Sequence, residues 1–230
     1  MSRTPTFSPS LMCMDLLHAA KDVDILNRRA DAYHVDLMDG HFAPNITLSP
    51  DLVKALSAHG SLPMDIHMMV TTPTDWIELL AANGATWISP HAETINVNAF
   101  RVINQIESLG MKPGVVLNPS TPLVWVQHYL ERLDMVTFMT VDVGFAGQPF
   151  IEQVLPKVAE AAAFRERHGL DFTIQIDGSC NATTFKRLWE AGADRFIVGT
   201  SGLWSKDADL DVAYDKMLAE FSQETGHVFA

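Results

Sequence analysis

Short runs of apolar or alternating residues recur along this chain. Each is followed by a polar loop and then by apolar positions at three- and four-residue spacing. The runs predict strands at Phe7–Met12, Ala32–Met38, Met64–Met69, Trp87–His91, Lys112–Leu117, Met135–Met139, Phe172–Ile176 and Arg195–Val198, since such runs fit a pleated strand buried on one or both faces. Between them, spacings such as Ile77, Leu80, Ala81 and Ile151, Val154, Leu155, Val158 fit one face of a helix. Asn83-Gly84, Gly110, His168-Gly169 and Ala191-Gly192 stand ahead of several strands, where a residue tolerant of left-handed backbone ends a helix. No hairpin dipeptide joins consecutive strands, so the units read as parallel βαβ crossovers. Eight such units in 230 residues predict an α/β chain: a single (β/α)8 barrel over residues 1–230, with the helices outside. An open doubly wound sheet would carry a glycine-rich turn after its first strand. Here that strand leads into Ser10-Leu11-Met12-Cys13-Met14-Asp15, without glycine. Past about Asp215 the chain is expected to form a last helix and then a frayed polar end.

Composition narrows the function classes. With 28 acidic and 16 basic side chains the formal charge is −12, which argues against a nucleic-acid or anionic-membrane surface. Cys13 and Cys180 lie far apart, so they suggest a reduced interior and have no metal-site spacing. Met1–Phe7 lacks a basic-then-apolar export pattern. The longest uncharged stretch, Pro113–Leu130, is broken by Pro119, Pro122, Asn118, Gln127 and His128, which spoils a membrane span of ~20 apolar residues. A cytoplasmic protein is expected.

In a barrel, chemistry belongs at the C-terminal strand ends. In Tyr33-His34-Val35-Asp36-Leu37-Met38, period-two alternation puts His34, Asp36 and Met38 on one face. Helices cover the outside, so Val35 and Leu37 face out and His34 and Asp36 face in, where an unpaired charge is costly. Parity on the third strand places His67 with Met69, and Asp177 tops the seventh. Two imidazoles and two carboxylates at one mouth suit Zn²⁺, Fe²⁺, Mn²⁺ or Co²⁺. The competing reading is of hydrogen-bonded core histidines and helix-capping aspartates. His91, at the fourth strand end, competes as a ligand, and spacing leaves that open. Gly144-Phe145-Ala146-Gly147-Gln148, Gly178-Ser179 and Gly199-Thr200-Ser201-Gly202 follow the last three strands. Backbone N–H groups in such turns can approach an anion, and barrels often hold phosphate after strands seven and eight.

These residues resemble the ribulose-phosphate 3-epimerase family over nearly the whole chain, most closely its branch acting on D-allulose 6-phosphate. The likeness runs through Ser8-Pro9-Ser10, His34-Val-Asp-Leu-Met-Asp-Gly-His-Phe-Ala-Pro-Asn45, His67-Met-Met-Val70, Met139-Thr-Val-Asp-Val-Gly-Phe-Ala-Gly-Gln148, Asp177-Gly-Ser-Cys-Asn181 and Gly199-Thr-Ser201. The second-strand motif is the specific one; the glycine turns are not. The resemblance implies an isomerase that interconverts D-allulose 6-phosphate and D-fructose 6-phosphate by epimerisation at C3. The alternatives are D-ribulose 5-phosphate to D-xylulose 5-phosphate, or a sugar-phosphate-binding barrel without catalysis. It further implies one divalent cation per subunit (Zn, Fe, Mn, Co or Mg) on His34, Asp36, His67 and Asp177, with His91 outside the ligand set. Asp36 and Asp177 would be the acid/base pair, and Ser10 and His67 would contact substrate. Gly144, Phe145, Ala146, Gly147, Asp177, Gly178, Ser179, Gly199, Thr200 and Ser201 would surround the sugar and its phosphate. Met38, Met69 and Met139 would pack against the reacting carbons, and the chain would form a homo-oligomer. The chain departs from most members at Val143, where proline is usual. Ser179 stands where the pentulose enzymes have glycine; Ser179-Cys180-Asn181 and Leu11–Met14 follow the hexulose branch.

Overall fold

The computed structural model describes residues 3–229. Its strands are β1 (Thr6–Pro9), β2 (Tyr33–Met38), β3 (Met64–Met69), β4 (Trp87–Pro90), β5 (Lys112–Leu117), β6 (Met135–Met139), β7 (Thr173–Asp177) and β8 (Arg195–Val198). They form one parallel sheet in the order β1-β8-β7-β6-β5-β4-β3-β2. An isolated parallel bridge between Ser10 and His34 joins the two ends into a barrel. Around it lie α1 (Ala19–Arg29), α2 (Pro50–His59), α3 (Ile77–Ala82), α4 (Ala92–Ile95), α5 (Ala99–Ser108), α6 (Leu155–His168), α7 (Phe185–Ala191) and α8 (Leu210–Thr225).

Alternation along the strands separates two interiors. Val35, Leu37, Ile66, Met68, Val115, Val136, Phe138, Ile174, Ile176 and Phe196 join the core between strands and helices. Each such side chain, fully buried, stabilises by about 1.5–3 kcal/mol. The alternate positions face the barrel axis, and its waist is polar. Asp65 there is fully buried and accepts from Ser89 Oγ at 2.8 Å and Gln175 Nε2 at 2.7 Å. Gln175 Nε2 also donates to Thr137 Oγ1 at 2.9 Å. Register then sets what sits side by side at the top: Asp36 pairs with His67, and Met139 with Asp177.

Several boundaries differ from the sequence reading. The first strand stops at Pro9, and Leu11–Cys13 winds into a 3₁₀ turn that buries Leu11; an apolar run alone does not separate strand from buried turn. β4 ends at Pro90, and His91 keeps only a bridge to Val116 before α4 begins. β7 lies one residue later than expected. Between β5 and β6 the described residues form no α-helix, only 3₁₀ turns at Leu123–Trp125 and Leu130–Arg132. Pro119 and Pro122 lack N–H donors and keep the residues before them out of the helical region. α8 begins before Asp215, capped by Asp209, whose carboxylate accepts from Asp211 N–H at 2.9 Å. The end is not wholly polar: Phe229 packs 5.9 Å from both Phe7 and Phe221. Among the described residues no helix is long and apolar enough to cross a membrane.

Gly202 shows how tightly the loops above β7 and β8 fit. A Cβ there would lie 2.2 Å from the Cys180 carbonyl oxygen, so backbone must shift to admit it. Gly202→Ala should cost about 1–3 kcal/mol, lowering the thermal midpoint by roughly 2–12 °C. An unchanged midpoint in calorimetry would mean the two loops part freely.

Candidate active site

The inward residues of β2 and β3 meet the last residue of β7. His34, Asp36 and His67 are buried, and with Asp177 they present ligand atoms all within 4.8 Å of one another. His34 Nε2 lies 3.3 Å from Asp36 Oδ1 and 3.4 Å from Asp177 Oδ2. His67 Nδ1 lies 3.3 Å and 3.1 Å from the same two oxygens. Neither ring nitrogen has a hydrogen-bond partner, although buried polar atoms are rarely left so. Neighbouring ligands around a divalent ion with bonds near 2.1 Å sit about 3.0–3.4 Å apart. Spacing, donor types and the two orphaned nitrogens therefore all fit one cation.

Two of the four residues have supports behind them. Asp65 Oδ2 lies 2.8 Å from His34 Nδ1; taking that N–H leaves the Nε2 lone pair directed at the cluster. Ser10 Oγ donates to Asp36 Oδ2 at 2.7 Å, and Thr47 Oγ1 to the Asp36 carbonyl at 2.6 Å. Burial disfavours charge on all four groups, but in the ion-free cluster opposite charges prevail. His34 is held well above its ordinary pKa against burial, chiefly by Asp36, and His67 above its own by Asp177 and Asp36. Asp36 and Asp177 are held low, against burial, by the two imidazoles. His91, next to His67 but outside the cluster, is pushed down to about 4 by burial and is neutral.

Above the cluster opens a cavity lined by Ser10, Asp36, Met38, His67, Met69, Met139, Gly144, Phe145, Ala146, Gly147, Asp177, Gly178, Ser179, Gly199, Thr200 and Ser201. The structure thus gathers the residues singled out in the sequence, with His34 beneath them at the barrel axis. Met38 and Met69 pack with Ala43, and Met139 with Val116 and Val141; Val143 touches both groups. Gly178 has φ +113°, and a Cβ on it would meet Val141 at 2.8 Å. Ser179 is the one described non-glycine residue with positive φ, at +46°, which costs about 1–2 kcal/mol. Its Oγ donates to the Gln148 carbonyl at 2.6 Å and so ties the loop after β7 to the loop after β6. Asn181 Nδ2 reaches Ser201 Oγ at 3.0 Å, linking the loops after β7 and β8. Met12, Cys13, Val141 and Asp142 also line the cavity, unforeseen because their segments read as strand or plain loop. Asp65 was legible: the parity that selects His67 selects Asp65 as well.

Fold and cavity define a (β/α)8-barrel enzyme with its ionisable groups gathered at one mouth. Solved structures share the architecture at low identity: a 3-hexulose-6-phosphate synthase (TM-score 0.68, 12% identity, 94% of this chain and 99% of that one) and a mutant tryptophan synthase α-subunit from Pyrococcus furiosus (TM-score 0.69, 13% identity, 97% and 100%). Residues 6–203 match the ribulose-phosphate 3-epimerase family model. Ribulose-phosphate 3-epimerase of Bacillus subtilis is 39% identical over 196 residues, covering 84% of this chain and 90% of the relative. That of Synechocystis is 36% identical over 203 residues, covering 87% and 88%. The chain belongs to the ribulose-phosphate 3-epimerase family, and it is an isomerase of the sugar-phosphate epimerase class.

Proposed function

We propose that this protein epimerises a ketose phosphate at C3, with D-allulose 6-phosphate, converted to D-fructose 6-phosphate, as the preferred substrate. The observation that carries the reading is the pair Asp36 and Asp177, reaching one cation-competent cluster from β2 and β7 at the cavity floor. His34, Asp36, His67 and Asp177 would hold a divalent cation, which would supply Lewis acidity for the substrate's carbonyl, worth several kcal/mol. One aspartate takes the C3 proton and the other returns a proton to the opposite face. Two groups are needed for inversion, because a single base tends to replace the proton where it was. Ser10 and His67 contact the substrate beside them. Met38, Met69 and Met139 shield the reacting carbons from water without offering protons of their own. The glycine turns after β6, β7 and β8 offer neutral N–H dipoles to the phosphate, which suits a chain of charge −12. Schiff-base aldolase chemistry would need a lysine at a strand top. Lys112 instead starts β5 and pairs with Asp134 at 2.9 Å, and Lys157 is bound to backbone carbonyls.

The hexulose branch rests on the resemblance at Ser179-Cys180-Asn181 and Leu11–Met14. Ser179 accepts a backbone conformation that glycine would take more cheaply, and its hydroxyl is engaged at the loop above the cavity. A second reading, D-ribulose 5-phosphate to D-xylulose 5-phosphate, is favoured by the names of the relatives. Turnover of both phosphosugars in D₂O separates the two. Solvent deuterium should enter C3 of the product, and kcat/KM should be at least tenfold higher for allulose 6-phosphate, ~1.4 kcal/mol of discrimination. A tenfold preference for ribulose 5-phosphate would reverse the substrate assignment. Epimerisation without C3 exchange would sink the two-aspartate scheme.

A further inference from the structure

His91 stands one imidazole behind the cluster and has no part in the scheme above. Its Nε2 lies 2.9 Å from His67 Nε2, and both residues are fully buried. Its Nδ1 lies 3.4 Å from Glu93 Oε2, and neither of those two atoms has a hydrogen-bond partner elsewhere. The other Glu93 oxygen, Oε1, accepts from Thr121 Oγ1 and from the Asn118 N–H. Lys157 Nζ stands behind, donating to the Asn118 carbonyl at 2.7 Å and the Thr121 carbonyl at 2.8 Å.

Counting protons along this line leaves one arrangement. Against the effect of burial, His91 and Thr121 hold Glu93 down to about 2; as an ionised carboxylate with Oε1 engaged by two donors, it can only accept at Oε2. His91 must then carry its proton on Nδ1, which makes its Nε2 a lone-pair acceptor. Two ring nitrogens 2.9 Å apart can share only one proton, so that proton belongs to His67 Nε2. His67 Nδ1, facing Asp36 Oδ1 and Asp177 Oδ2, is then the nitrogen that gives up its proton to present a lone pair to a cation. We propose that Glu93 and His91 are positioning residues that fix the His67 tautomer and thereby set the affinity of the site for a divalent cation. The proposal rests on the ligand set given above. It makes the His67 support a two-step counterpart of the direct Asp65–His34 contact, since a carboxylate behind a ligating imidazole orients it and raises its basicity.

The test is Co²⁺ affinity, measured by chelator competition on folded His91→Gln, His91→Leu and Glu93→Gln proteins, together with long-range ¹H–¹⁵N spectra of the Zn²⁺-loaded wild type. The glutamine carbonyl at position 91 can still accept from His67 Nε2–H, so His91→Gln should stay within about threefold of wild type, while His91→Leu should lose about 10–100-fold. In Glu93→Gln the amide cannot accept from both sides, and a loss of about tenfold or more is expected. The wild-type spectrum should show His91 protonated on Nδ1 alone. Equal Co²⁺ affinity in all three variants overturns the proposal, as does equal loss in His91→Gln and His91→Leu, which would mean packing only. A His91 protonated on Nε2 also overturns it, even should every variant fail to fold. Wild-type protein that binds no Co²⁺ would instead overturn the ligand set itself.

Discussion

Asp36→Asn and Asp177→Asn should each lower kcat/KM for epimerisation about 10³-fold or more, with the barrel still folded. Loss of a positioned acid or base costs about 10²–10⁴-fold, and each change also weakens a cation ligand. Asparagine matches aspartate in shape, and neither aspartate is a member of the apolar core between strands and helices, so circular dichroism should be unchanged. The sharper expectation concerns partial reactions. If each aspartate serves one face of C3, each variant retains solvent exchange of the C3 proton with only one of the two epimers, and without inversion. Metal content must be matched before rates are compared, because Asp36 Oδ1 and Asp177 Oδ2 both face the two imidazoles. A metal-loaded variant with more than about a tenth of wild-type activity would falsify the acid/base assignment of that residue.

How far the site could be read from sequence follows from which physical quantity each residue depends on. His34, Asp36 and His67 were legible because strand parity is local, and β2 and β3 are regular over six residues each. Register is not local. That Asp36 pairs with His67 while Asp65 sits beside His34 depends on how two strands align, and no single segment encodes it. Depth along the barrel axis is equally hidden. His91 follows its strand much as Asp177 ends β7, yet it lies behind His67 and joins Glu93. The run after Pro9 read as strand since Leu11 and Met12 are apolar; the burial was real, the extended backbone was not. Ser179 has no sequence signal for left-handed backbone, because serine ordinarily avoids it; it is held there by its hydroxyl on the Gln148 carbonyl and by its own carbonyl accepting from Asn181 Nδ2 and Thr184 Oγ1.

Removal of divalent cations by a chelator should abolish turnover, at least a hundredfold, and readdition of one cation should restore it. The fold should survive, since its apolar core is built without the four ligands. The ion-free protein should nevertheless carry a pH signature. His34 and His67 have folded pKa values raised above their ordinary 6.5. Their stabilisation is therefore complete below about 6.5 and fades as pH rises through the raised values. Asp36 and Asp177 are lowered from 3.8, so their contribution is present above that value and fades as pH falls through the lowered ones. Between roughly pH 4 and 6.5 both pairs are charged as the folded cluster prefers. A bound cation takes the place of the imidazole protons, and its affinity therefore rises with pH. Melting curves from pH 6 to 9 should show the ion-free protein losing stability, the Zn²⁺-saturated protein holding its own, and the gap between them widening. A gap independent of pH would mean that the cation displaces no protons, and so that His34 and His67 are not its ligands.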